Sequence, residues 1–99
     1  MHFIIIARDG TDAEAANRRQ NAREAHLKNI ADNRHHVLMG VATLDEQGQM
    51  NGSVLVVDFS DREALDRWLA EEPYVVQQVW KEIEIVPGKV GPAFLKQLD

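Results

Sequence analysis

The sequence predicts an α+β fold with two helices on one face of a four-stranded antiparallel sheet, and three observations predict it. Two runs are apolar on both parities, as strands covered on both faces are: Phe3-Ile4-Ile5-Ile6-Ala7 within residues 2–8, and Val54-Leu55-Val56-Val57-Asp58-Phe59. Two capping boxes, Thr11-Asp12-Ala13-Glu14 and Ser60-Asp61-Arg62-Glu63, each open a stretch of helix-forming residues. In chain order the elements read β-α-β-β-α-β.

The first strand covers residues 2–8, and Asp9-Gly10 turns the chain into a long helix over about 12–32. Asp32-Asn33 stops that helix, since Asn tolerates a left-handed cap. Val37-Leu38-Met39-Gly40-Val41-Ala42 reads as the second strand. Glu46-Gln47-Gly48 and Asn51-Gly52 connect it to the third, so the two form a hairpin. In the second helix, which runs to about Glu71, Leu65, Trp68 and Leu69 fall at the i, i+3, i+4 spacing of a buried stripe. Pro73 disfavours helical dihedrals at Glu72, so the chain breaks there and restarts as a short turn from Tyr74 to Gln78. In the last strand, 79–86, regular alternation places Val79, Lys81, Ile83 and Ile85 on one face and Trp80, Glu82, Glu84 and Val86 on the other. Pro87-Gly88 ends the strand, and Val90, Phe94, Leu95 and Leu98 predict a tail that docks. This order is that of the ferredoxin-like sandwich.

At 99 residues and 11.2 kDa the chain has the length of one domain, expected over 1–99, with 44% hydrophobic and 27% charged residues, a globular composition. A deep pocket in so small a domain calls for a second subunit. With 11 Lys and Arg against 16 Asp and Glu, the net charge of −5 has the wrong sign for nucleic acid or an anionic membrane. The absence of cysteine removes disulfides, thiolate metal sites and thiol nucleophiles, and agrees with a reducing compartment. The apolar stretch at the N-terminus is too short for a signal peptide or a span, so a soluble cytoplasmic protein is expected. A sheet with helices on one face leaves its other face apolar, and self-association through the sheet into a homodimer is the economical cover.

Along the first helix Ala16, Arg23, Leu27 and Ile30 share one stripe, with His26 on its flank. Arg23 either snorkels out of that stripe or holds an anion beside a titratable base. Glu72 continues the Leu65, Trp68, Leu69 stripe, and a carboxylate turned inward there needs a hydrogen-bonded partner, for which His26 and Arg23 are the candidates; the break at Pro73 can equally swing it into solvent. His35 and His36, read as strand residues, point to opposite faces and do not share a metal, so neither a metal nor a cofactor is assigned. His2 has no assigned role, Trp68 and Trp80 are assigned to core and interface, and no phosphate-binding or nucleophile-elbow motif is present.

Arg23-Glu24-Ala25-His26-Leu27, Gly52-Ser53 opening the third strand, and Glu72-Pro73-Tyr74-Val75 ahead of a last strand ending at Pro87 resemble, in order and spacing, the YciI-like (YCII-related) family. The resemblance implies a ferredoxin-like dimeric α+β barrel. It also implies an active site of a histidine on the first helix, a carboxylate before the proline after the second helix and a serine opening the third strand, which carry over to His26, Glu72 and Ser53. Two departures stand out. The family usually has Asp-Pro where this chain has Glu72-Pro73, and one more methylene is expected to shift the carboxylate. It also has Gly-Pro where this chain has Gly40-Val41, and a longer loop than Thr43 to Asn51, which alters the pocket rim. The activity implied is dehydrochlorination of a chlorinated hydroxyquinol, beside muconolactone isomerases and cofactor-free monooxygenases in the wider superfamily.

Two functions are therefore expected to compete. One is cofactor-independent proton transfer on a small oxygenated ring, with His26 as general base, Glu72 orienting it, Arg23 holding an anionic oxygen and Ser53 donating a hydrogen bond. The other is a dimer that binds a small molecule without turning it over. An RNA-binding sheet would need exposed aromatics and basic charge, against the acidic balance.

Overall fold

In the computed structural model, which describes residues 1–98, the elements are β1 (His2–Asp9), α1 (Ala15–Asp32), β2 (Val37–Leu44), β3 (Met50–Asp58), α2 (Arg62–Glu71), α3 (Pro73–Val76), β4 (Trp80–Gly88) and α4 (Pro92–Leu98). The sheet is antiparallel, ordered β2-β3-β1-β4, so the two apolar runs β1 and β3 take the central places. This is the ferredoxin-like βαββαβ fold. Phe3, Ile5 and Ala7 of β1, Leu55 and Val57 of β3, and Leu65 and Leu69 of α2 form the core between sheet and helices. No helix of the described residues is long and apolar enough to cross a membrane.

The ends of the elements follow local chemistry, with corrections. The Thr11 box does not form: the helix starts at Ala15, and Asp12 is taken up by Arg18 through two bonds of 2.6 and 2.8 Å, which hold the Asp12 carboxyl well below the usual carboxylate range. At α2 the cap is Asp61, whose side chain accepts from the Ala64 N–H at 2.8 Å. Asn33 ends α1 without a left-handed residue, and its side chain bonds back to the Asn29 carbonyl instead. His35 and His36 precede β2 in a turn, so their rings lie 4.1 Å apart rather than on opposite faces, and His36 stacks on Phe59. His2 accepts the Val90 N–H at 2.9 Å and so ties down the segment after β4. Of the tail residues expected to dock, Val90 and Leu95 are half-buried while Phe94 on α4 is 60% exposed; the Leu98 side chain lies outside the described residues.

Two further departures bear on the site. The buried face of α1 is formed by Arg19, Ala22 and His26, about one residue and 100° from the expected stripe, while Leu27 is 49% exposed. In β4 the register shifts between Arg8 and Asp9, so that Asp9 pairs with Trp80 instead of Lys81. A bulge of this kind turns over one residue of the alternation. Trp80 thereby leaves the face of Glu82 and Glu84 and is buried under the helices with Ile85.

Gly52 lets β3 run close to β1: a Cβ there would stand 2.5 Å from the Ala7 carbonyl oxygen and 2.7 Å from Thr43 Oγ1. Because backbone rather than a flexible side-chain end blocks it, Gly52→Ala is expected to cost about 1–3 kcal/mol in chemical denaturation. An unchanged midpoint would show that β1 yields without penalty.

Candidate active site

Glu72 is both the last cap of α2 and the first of α3. Pro73 keeps it extended (φ −66°, ψ 127°), and Pro73 itself starts α3, where its missing N–H costs nothing. In that conformation Glu72 Oε2 accepts the Tyr74 N–H at 2.6 Å, which fixes the carboxylate and leaves Oε1 facing α1. There it lies 2.5 Å from His26 Nδ1, with Asn29 Nδ2 at 3.4 Å. Glu72 is 0% exposed. An ionised carboxylate only accepts, so beside a neutral imidazole this contact puts the hydrogen on Nδ1 and leaves Nε2 as the nitrogen with the lone pair. Nε2 has no hydrogen-bond partner among the described residues. Tyr74 stacks on the imidazole at 3.8 Å and Trp80 meets it edge-on at 5.9 Å, which hold the ring plane.

His26 lines an open cleft of about 220 Å³ between α1 and the β2–β3 hairpin, with Arg19, Arg23, Ser53, Leu55 and Tyr74 also on its wall. Ser53, on the inner face of β3, accepts from Arg19 Nη2 at 3.0 Å and from Trp80 Nε1 at 3.2 Å. Arg19 is held by Asp9, whose two oxygens both lie 2.9 Å from Nη1, and its guanidinium sits 4.9 Å over the Tyr74 ring. Arg23 has no carboxylate partner among the described residues and touches Met50 Sδ at 3.3 Å. The cleft is therefore walled by one cation paired with Asp9 and one that is not, beside an imidazole backed by a carboxylate.

Residues 1–89 match the model of the YCII-related domain. The chain belongs to that family. No curated protein matches it. Among solved structures, this YCII-related chain is similar to 5-chloro-2-hydroxyhydroquinone dehydrochlorinase (TftG) from Burkholderia phenoliruptrix AC1100, solved with 2,5-dihydroxybenzoquinone. The TM-score is 0.80 at 18% identity, over 94% of this chain and 98% of that one. It is also similar to Rv0793 from Mycobacterium tuberculosis, with TM-score 0.59 and 15% identity over 93% and 99% of the two chains. A putative antibiotic biosynthesis monooxygenase from Bacteroides thetaiotaomicron gives 0.58 and 12% over 90% and 89%. These likenesses place the YCII-related chain in the fold of the dimeric α+β barrel proteins.

The four residues singled out in the sequence meet at one place: His26, Ser53 and Arg23 on the cleft wall and Glu72 behind His26. Sequence reasoning missed Asp9, Arg19, Asn29, Tyr74 and Trp80. Arg19, Ala22, His26, Asn29 and Asn33 recur at helical spacing, a stripe more polar than the one chosen. Burial raises the Tyr74 pKa, against the opposing charges of Arg19 and Arg23, so the phenol stays protonated. Tyr74 is the only tyrosine, which makes the shift directly readable. An absorbance titration is expected to show tyrosinate forming above the ordinary value of 10.0, with stability falling as pH rises past that value because the unfolded chain ionises first. Ionisation at the ordinary value would mean that the ring is open to water.

Proposed function

We propose that this chain is a cofactor-independent enzyme of proton transfer that carries out elimination or isomerisation on a small, oxygen-rich ring. The observation that carries the reading is the His26 Nδ1 to Glu72 Oε1 contact of 2.5 Å behind an open cleft, since it leaves a basic nitrogen facing that cleft. His26 is the general base. Glu72 fixes its tautomer and offsets the positive charge that proton uptake creates, as a buried carboxylate does most effectively where water is excluded. Arg23 holds an anionic oxygen of the substrate, and Ser53 donates to another.

In an elimination, Nε2 takes a proton from the ring, the pair of the broken bond forms the new double bond, and the leaving group departs with its own pair. With chloride the net loss is HCl. In an isomerisation the same proton returns from Nε2 to another carbon. Proton transfer of either kind consumes no redox equivalent. The fold shared with a dehydrochlorinase solved with 2,5-dihydroxybenzoquinone supports this substrate class.

A second copy covers the open sheet face in this reading. By register, Ile4, Ile6, Val54, Val56, Met39 and Val41 turn away from the helices, with Val41 51% exposed. Covering them contributes about 25 cal/mol for each Å² of apolar surface removed from water. A homodimer through this face is the form expected in solution.

His26→Ala is expected to cut turnover of a chlorinated hydroxyquinol by about 10²-fold to 10⁴-fold with the fold intact, while Arg23→Ala chiefly raises KM. Undiminished turnover in His26→Ala would remove the general base. Binding of 2,5-dihydroxybenzoquinone without turnover of hydroxyquinols or lactones would instead assign a ligand-binding dimer. For the assembly, Ile4→Glu is expected to give a folded monomer in sedimentation, whereas Ile5→Glu, at a position 0% exposed among the helices, unfolds the chain. Ile4→Glu sedimenting as a dimer would place the interface elsewhere.

A further inference from the structure

We infer that Ser53 is an obligate hydrogen-bond donor, wired by Arg19, Asp9 and Trp80, and that this wiring commits one wall of the cleft to an acceptor oxygen, an ionised hydroxyl or a carbonyl, on the bound molecule. The inference rests on the small-molecule site proposed above and adds to it three residues outside the His26–Glu72 pair.

A serine hydroxyl has one hydrogen and two lone pairs. Both lone pairs are engaged, by Arg19 Nη2 at 3.0 Å and Trp80 Nε1 at 3.2 Å. Guanidinium and indole N–H groups are donors only, so neither bond can reverse, as one to an amide, a hydroxyl or an imidazole could. What remains to Ser53 is its own O–H, which no described residue accepts and which belongs to a residue on the cleft wall. A ligand group that must itself donate finds no lone pair there. An ionised oxygen finds a donor polarised by a neighbouring cation, and hydrogen bonds to ions are roughly twice as strong as neutral ones.

The wiring is built from the sheet. Asp9 ends β1, and both of its oxygens accept from Nη1 of Arg19 on α1 at 2.9 Å. The bulge in β4 sets Trp80 against Asp9, which brings the indole under the helices and within reach of Ser53. Asp9 and Trp80, which do not line the cleft, are thus positioning residues that act on the ligand through Ser53 and Arg19, while Arg19 orients the serine and also stands on the cleft wall.

The test has one arm without ligand and one with it. In a ¹H–¹⁵N spectrum the Trp80 indole signal, assigned by its loss in Trp80→Phe, is expected to move in Ser53→Ala while that of Trp68, whose Nε1 has no partner among the described residues, stays in place. With 2,5-dihydroxybenzoquinone as the probe, Ser53→Ala is expected to weaken binding by about tenfold to a hundredfold, and Ser53→Thr, which keeps the hydroxyl, to restore most of it. Trp80→Phe is expected to weaken binding severalfold in the unsubstituted chain and to have no further effect in the Ser53→Ala background. An unmoved Trp80 signal, or equal penalties for Trp80→Phe in both backgrounds, overturns the wiring. A moved signal with a probe that fails to bind the unsubstituted chain supports the wiring and removes the proposed substrate class.

Discussion

A carboxylate with no access to solvent, set where α2 gives way to α3, is the constraint on which the helical layer depends. Removing an ion from water costs several kcal/mol even after the protein relaxes, so Glu72 has to be met on every side by donors. They come from two elements, the Tyr74 N–H of α3 and the His26 and Asn29 side chains of α1. One register of α1 against α3 satisfies them, and the Tyr74 ring stacked on His26 fills the space beside the pair. The candidate base is thereby held by the same contacts that dock the helices.

A second polar group of side chains, Asp9, Arg19, Ser53 and Trp80, links α1 to the sheet beside the cleft, with Arg19 Nε left without a partner among the described residues. Truncating one member of a buried pair costs more than the pair contributes, because the survivor is left charged and unsolvated. Substitutions that preserve charge balance or volume, such as Trp80→Phe and Ser53→Thr, therefore report on chemistry, whereas Asp9→Ala or Arg19→Ala report largely on folding. Arg23 differs, since no carboxylate holds it among the described residues, and its charge is left to the cleft.

What could be read in the sequence follows from how far each signal acts. The order of elements and the break at Glu72-Pro73 are local consequences of apolar runs, capping residues and a proline ring, and each is visible within a few residues. The buried face of α1 is not legible in the same way, because it carries Arg19 and His26, with Asn29 half-buried beside them, and a rule that seeks apolar residues turns away from a polar face paired at long range. Trp80 lies on the face opposite to the one that alternation predicts, because alternation assumes a regular ladder, and the bulge opposite Asp9 depends on a strand some seventy residues away. Neither departure is one of propensity. Both arise where buried polar groups, rather than apolar area, decide the local geometry.

The alternation of β1 and β3 ties the cleft to the open face. Ser53 faces the helices and its neighbour Val54 faces away; Ile5 lies in the core and its neighbours Ile4 and Ile6 do not. A second copy covering Val54, Ile4 and Ile6 would press on the very strands that position Ser53, and would restrain the sheet opposite α1. Strands that are apolar on both parities suit this arrangement, since one parity builds the core beneath the site and the other supports an assembly behind it. The separation between His26 on the helix layer and Ser53 on the sheet layer is then set by the packing of α1 over β1 and β3. Any force that flattens or twists the sheet changes that separation directly. A monomer and a dimer of this chain would therefore differ at the cleft even though its named side chains all come from one copy.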